Sequence, residues 1–186
     1  INVKLENPLK YNFQLVKYNT SGNEITDANL KVVRNGEVFE NIQNGSRTSN
    51  VLIEEKDARL EEEITYEITE SNVSAPYVNI LKDKVIRIKA RLNNSKKLEV
   101  TNVVVRNSKN NKLCPTTDEI YNYFSYSIVE DANGFETLRV ELKNPYTYKF
   151  EFTKTDTNGD KLDNVAFITI HEDGQINSNL NEDSSY

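Results

Sequence analysis

Apolar and polar residues alternate with period two along most of the chain. Tyr11, Phe13, Leu15 and Lys17 share one parity, and so do Tyr66, Ile68 and Glu70. The same holds for Ile86, Ile88, Ala90 and Leu92, for Leu98, Val100, Asn102 and Val104, and for Leu138, Val140, Leu142 and Asn144. Successive side chains of a strand point to opposite faces, so each run predicts a half-buried strand. Asn35-Gly36, Asn133-Gly134, Asn158-Gly159 and Asp173-Gly174 separate such runs. Asn-Gly and Asp-Gly between alternating segments are strong hairpin signals. Many short strands with regular turns predict an all-β sandwich or barrel. Only two stretches carry helix signals. Residues 54–63 are rich in helix formers, and residues 117–124 can open on a Thr or Asp cap.

One pattern recurs. Val3-Lys-Leu-Glu-Asn-Pro8 followed by Tyr11-x-Phe13-x-Leu15-x-Lys17 matches Val140-Glu-Leu-Lys-Asn-Pro145 followed by Tyr148-x-Phe150-x-Phe152-x-Lys154. The offset is 137 residues throughout, and it carries Gly22 onto Gly159 and Leu30 onto Phe167. A fixed-period repeat marks a tandem array. The expected division is a complete unit over residues 9–144, the last strand of a preceding unit at 1–8, and the start of a following unit at 145–186. Ile1 in place of an initiator Met fits a processed or excised piece.

Composition narrows the function. Apolar residues make up 37% of the 186, or about 40% with the 6 glycines added, below the roughly 45–50% of an average globular chain, and 26 asparagines fill much of the deficit. The net charge of −6 argues against nucleic acid as a partner. No apolar run approaches a membrane span, and no signal peptide is visible. A single cysteine, Cys114, and a single histidine, His171, exclude an internal disulfide and a Cys/His zinc site. No metal and no cofactor are expected. Any His-dependent triad would need His171, which stands beside an Asp-Gly turn without a visible partner.

Three polar residues interrupt the inward parity of their strands: Lys17, Glu70 and Asn144. At a strand end each can be a snorkelling side chain that reaches water. Burial gives them a different chemistry. Desolvation favours a neutral amine, which is a nucleophile, and a protonated carboxyl, which can polarise a carboxamide and shuttle protons. Lys, Glu and Asn converging in an apolar sandwich can form a Lys–Asn amide with loss of ammonia.

The same residues carry a family resemblance. Phe13-Gln-Leu-Val-Lys17, the turn at Ser21-Gly22-Asn23, and Asp27-Ala28-x-Leu30 resemble the opening of a Cna-B-type repeat, the prealbumin-like (immunoglobulin-like) β-sandwich of Gram-positive surface adhesins and pilins. Tyr66-Glu-Ile-Thr-Glu70 with Ala75-Pro76 and Tyr77 resembles the family's middle segment, and Val140-Glu-Leu-Lys-Asn144 its closing strand. Phe150-Glu-Phe-Thr-Lys154-Thr-Asp156 with Val165-Ala166-Phe167 resembles a second opening. The resemblance implies that Lys17 is the amine, Asn144 the carboxamide and Glu70 the catalytic acid of a self-formed isopeptide bond. Asn102 is the alternative carboxamide, because it also ends an alternating face. The 10-residue step from Asn144 to Lys154 repeats the step from Asn7 to Lys17 and favours Asn144. Asn7 and Lys154 are the equivalents from neighbouring units and are expected to stay unlinked. Asn19 stands where the family often has Asp, and the Gly before Tyr77 is missing. Glu67 neighbours Glu70 but has the opposite parity.

The expected role is a structural stalk or adhesin module on the cell surface or wall of a Gram-positive bacterium, with neighbouring repeats of the same chain as partners. Its chemistry is a single turnover on itself, so it is not an enzyme. A crosslink from Lys17 to Asn144 closes a 128-residue loop, for which the chain-entropy term is about 5 kcal/mol. The alternatives are a binding module for a host protein or glycan, and an accessory β-domain of a secreted hydrolase. Tyr121, Tyr123, Phe124 and Tyr126 are the best aromatic candidates for a binding surface. Asp156-Thr-Asn158-Gly-Asp160 has some spacing of a calcium loop, but Lys161 occupies the position that needs Gly, so a hairpin turn is expected. Cys114 reads as a lone loop thiol. The Asn19, Asn44, Asn72 and Asn93 sequons are of the number that an Asn-rich chain carries by chance.

Overall fold

The structure is a computed structural model that describes residues 9–26, 28–42, 51–146, 155–161, 169–170 and 176–177. The chain divides into two compact units, Ile1–Thr147 and Tyr148–Tyr186. The first is a sandwich of two β-sheets, as the alternation predicts. One sheet has the order β4-β1-β9-β8, built from β1 (Leu9–Asn19), β4 (Val51–Ala58), β8 (Phe124–Glu130) and β9 (Glu136–Asn144). The other has the order β3-β2-β5-β6-β7, built from β2 (Asn29–Arg34), β3 (Glu37–Ile42), β5 (Ile64–Ser71), β6 (Lys84–Leu92) and β7 (Leu98–Asn107).

The alternating residues form the core. Phe13, Leu15, Leu138, Val140 and Leu142 from one sheet meet Leu30, Val32, Tyr66, Ile68, Ile86 and Ile88 from the other, all buried. The Phe13 and Tyr66 rings stack across the sheets with centroids 4.3 Å apart. Asn35 and Gly36, at φ 48° and 87°, make the β2–β3 hairpin, a turn that needs positive φ at both central residues.

The first and last strands of the unit lie side by side. β1 and β9 pair in parallel, with Phe13 opposite Leu138, Lys17 opposite Leu142 and Asn19 opposite Asn144. The chain therefore enters at one end of the sandwich and leaves at the other, and Lys17 and Asn144 stand together at the exit end.

Three places depart from the simple reading. Residues 54–63 form no helix: the segment begins inside β4, which pairs antiparallel with β1, Phe13 opposite Ile53 and Tyr11 opposite Glu55. Sheet pairing overrides the helix propensity of its Glu and Lys residues. In 117–124 the helical signal yields one short 3₁₀ turn, η1 (Glu119–Asn122), capped by the Asp118 side chain accepting from Ile120 N at 3.0 Å. The third departure is in β7. Ala90 pairs with Val100 and Lys89 with Asn102, so Thr101 is an extra residue on β7. A bulge of one residue flips the parity of everything beyond it. Val105 is thus buried, and Asn102 is exposed.

In the second unit, β10 (Thr169–Ile170) pairs antiparallel with β11 (Ile176–Asn177). Residues 155–161 form a hairpin turn and repeat a turn of the first unit. In the first turn Asn19 N donates to Asn23 O at 2.9 Å, Gly22 N to Asn19 O at 3.0 Å, and Tyr18 bridges Glu24. In the second, Asp156 N donates to Asp160 O at 2.9 Å, Gly159 N to Asp156 O at 3.1 Å, and Thr155 bridges Lys161. Each residue of the second set lies 137 beyond its counterpart. The Asp156 carboxylate caps the backbone N–H groups of Asn158 and Asp160 at 2.8 and 3.0 Å, which is the hairpin reading of this segment. No cluster of potential metal ligands occurs among the described residues.

Candidate functional site

Lys17, Glu70 and Asn144 meet inside the sandwich. Lys17 comes from β1 and Asn144 from its parallel neighbour β9. Glu70 comes from β5 in the facing sheet, where it lies opposite Leu30. Their exposures are 1%, 6% and 0%, so none of the three snorkels to water. Lys17 Nζ forms an ion pair with Glu70 Oε1, and Asn144 Nδ2 donates to the same Oε1 at 3.1 Å. One carboxylate oxygen thus holds the amine and the amide nitrogen of the carboxamide together. Leu15, Leu30, Ile68 and Leu142, which precede or face these residues in the strands, are all buried. In such surroundings a charged pair is costly, and transfer of a proton from ammonium to carboxylate removes both charges.

The other expected residues lie elsewhere. Asn102 is on β7, an edge strand of the facing sheet, and its exposed side belongs to the outer surface. Its sequence parity suggested an inward position; the bulge at Thr101 reverses that. Glu67 points outward, and its carboxylate accepts from Arg87 Nε at 2.8 Å. Asn7, Lys154 and His171 lie outside the described residues. Tyr121 and Phe124 pack on each other, with centroids 5.6 Å apart, and with Tyr123 they pack against the core. Tyr121 Oη also accepts from Val105 N at 3.2 Å. Of that aromatic group Tyr126 is exposed. Cys114 is a half-buried free thiol.

Two further polar networks were not legible in the sequence. The first is a second crossing of the core. Arg34 Nε donates to Glu55 Oε1 and Oε2 at 2.8 and 2.9 Å, and Tyr66 Oη donates to Glu55 Oε1 at 2.8 Å. The hydroxyls of Tyr11 and Tyr66 are 2.9 Å apart. Tyr66 spends its proton on Glu55, so Tyr11 is the donor to Tyr66. Burial pushes both tyrosine hydroxyls well above the ordinary phenol range and keeps them protonated. The hydrogen bond to Glu55 holds the Arg34 guanidinium above its ordinary value. The one sequence signal was Glu55 sharing parity with Ile53.

The second network borders the candidate site. Asn19 is buried; its Oδ1 accepts from Asn23 N at 2.9 Å, and its Nδ2 donates to Tyr146 Oη at 2.6 Å. Tyr146 forms an antiparallel bridge with Tyr77, their ring centroids 4.9 Å apart. Val78 N donates to Pro145 O at 3.0 Å.

No family model matches the chain, and no curated protein does. Among solved structures, a C-terminal fragment of the pilus adhesin SpaC from Lactobacillus rhamnosus GG aligns at 12% identity and a TM-score of 0.41, over 77% of this chain and 47% of that one. An iodide-soaked form of the fragment aligns at 14% and 0.44, over 77% and 48%. SpaC in an open conformation aligns at 14% and 0.44, over 78% of this chain and 16% of that one. The chain thus spans about half the length of the SpaC fragments it matches.

Proposed function

We propose that the first unit is a self-crosslinking Cna-B-like module of a Gram-positive cell-surface stalk or adhesin, closed by an isopeptide bond between Lys17 and Asn144. The observation that carries this reading is the shared oxygen. Glu70 Oε1 contacts both the nitrogen that would attack and the nitrogen that would leave.

The chemistry balances within the three side chains. A proton passes from the Lys17 ammonium to Glu70, leaving a neutral amine. Lys17 Nζ attacks Asn144 Cγ, and a C–N bond forms. Nζ gives up a proton and Asn144 Nδ2 takes one, with Glu70 as the relay. The Cγ–Nδ2 bond breaks and ammonia departs. Glu70 polarises the carboxamide from the side of the leaving nitrogen, and the apolar walls exclude water that would compete for the acyl carbon. Nothing turns over a second time, so the module acts as a structural element with no external substrate or cofactor.

The strand order gives the bond its use. Tension that enters at Leu9 runs along β1 to Lys17, crosses the bond to Asn144 and leaves at Pro145. Residues 18–143 then lie outside the load path. Neighbouring units of the same chain would couple in series through such links.

Intact mass tests the reading. The purified protein is expected to be one ammonia lighter than its sequence mass, and Glu70→Ala is expected to restore the full mass. A wild-type protein at full mass would sink the crosslink.

A further inference from the structure

We infer that Asn19 is a positioning residue for the Lys17–Asn144 reaction. Through Tyr146 it clasps together the strands that carry the amine, the acid and the carboxamide. The inference rests on the self-crosslinking reading above and adds a residue to it.

The three reacting side chains come from two sheets, so their alignment depends on how one sheet sits on the other. Lys17 and Asn144 are fixed by the parallel β1–β9 ladder. Glu70 sits on β5 in the facing sheet, with side-chain packing in between. The clasp closes this gap just beyond the site. Asn19 is the direct ladder partner of Asn144. Its Nδ2 reaches the hydroxyl of Tyr146, two residues past Asn144. Tyr146 in turn pairs with Tyr77 by backbone bridge and ring contact, and Pro145 O accepts from Val78 N. Tyr77 and Val78 follow β5 by a few residues. The chain after the carboxamide is thereby tied to the end of β1 on one side and to the segment leaving β5 on the other.

The residue type carries its own argument. The equivalent turn in the second unit is capped by Asp156 using only oxygen. Asn19 caps its own turn with Oδ1 in the same way, and the acceptance from Asn23 N fixes which end of the amide is oxygen. An aspartate would serve that cap equally well. The amide adds an N–H donor, and this donor makes the 2.6 Å bond to Tyr146.

Full-length protein made by cell-free synthesis, with translation stopped and intact mass followed over time, gives the rate of ammonia loss. Misplacement of reacting groups by about 1 Å costs on the order of 100-fold, so Asn19→Ala is expected to slow the loss by roughly 10- to 100-fold. Tyr146→Phe keeps the ring contact with Tyr77 and drops only the hydroxyl. It is expected to slow the reaction alike, with the double variant no slower than either single one. Ile53→Val, a packing change elsewhere on the core, is expected to lower the denaturation midpoint and leave the rate unchanged. Asn19→Ala at the wild-type rate would overturn the clasp and leave the crosslink reading standing, as would a rate that merely follows stability across all variants. A second arm uses the unreactive, near-isosteric Glu70→Gln background and reads exchange of the Asn144 side-chain amide protons by NMR. Adding Asn19→Ala should speed that exchange about tenfold or more; unchanged exchange would overturn the positioning role whatever the masses show. A wild-type protein at full mass overturns the crosslink reading and this role together.

Discussion

Two carboxylates cross the apolar interior of the sandwich, and their surroundings give them different chemistry. Glu55 and Glu70 both reach inward, and both pair with a cation. Their partners on β1, Tyr11 and Lys17, are six residues apart, or about 20 Å along a strand. At the Glu55 crossing the cation is Arg34, whose side chain keeps 33% of its exposure, and the remaining contact comes from tyrosine hydroxyls. A guanidinium stays charged and does not act as a nucleophile in proteins. The network is an ion pair extended by hydrogen bonds. At the Glu70 crossing the cation is a fully buried primary amine, and the third member is a carboxamide held on the same oxygen. On the proposed reading, what separates the two ion pairs is whether the cation can lose a proton and whether an acyl carbon stands beside it.

Removing each carboxylate separates the two cases. Glu70→Ala is expected to have the largest effect. It forfeits the loop-closure term of about 5 kcal/mol and strands a buried ammonium, which costs about 3–5 kcal/mol in buried pairs. Under force the uncrosslinked chain should release residues 18–143, about 430 Å of extra contour at the usual extension per residue. The wild type should release none of it, as read by single-molecule extension. Glu55→Ala should cost less, about 1–3 kcal/mol for the unsatisfied Tyr66 hydroxyl, since Arg34 can turn to water. The urea midpoint reads this, and the crosslinked mass should be unchanged.

Tyr66→Phe should cost about 1 kcal/mol at neutral pH, and its larger signature is in alkali. The folded-state hydroxyl is raised by burial, so its contribution is full below the ordinary tyrosine pKa of about 10 and is lost as pH rises above it. The variant should therefore lose less stability than wild type between about pH 10 and pH 12, measured as urea midpoint against pH. Asn102→Ala should be the smallest change, within about 0.5 kcal/mol, with the light mass retained. A full-mass Asn102→Ala protein would move the crosslink away from Asn144.

What the sequence made legible follows from the same contrast. Lys17, Glu70 and Asn144 stand out because each is a polar residue closing an otherwise apolar parity, and the strands around them are regular. Asn102 shows the same pattern and misleads, because a single extra residue at Thr101 leaves no mark in composition and inverts the face. Glu55 stayed hidden for the opposite reason: it sits among Glu54, Lys56 and Asp57, so its inward parity is lost in a charged run that reads as helix. The Asn19–Tyr146 contact joins residues 127 positions apart, and no local pattern encodes such a pair. The 137-residue repeat is a pattern of the sequence, and among the described residues the turns at Asn19 and Asp156 match in backbone hydrogen bonds and glycine position.

Peptide mapping of the intact protein tests the central claim most directly. After proteolysis, tandem mass spectrometry should find one branched species in which the peptide containing Lys17 is joined to the peptide containing Asn144, with one ammonia missing. Linear Lys17 and Asn144 peptides at full mass, or a branch from Lys17 to Asn102, would contradict it.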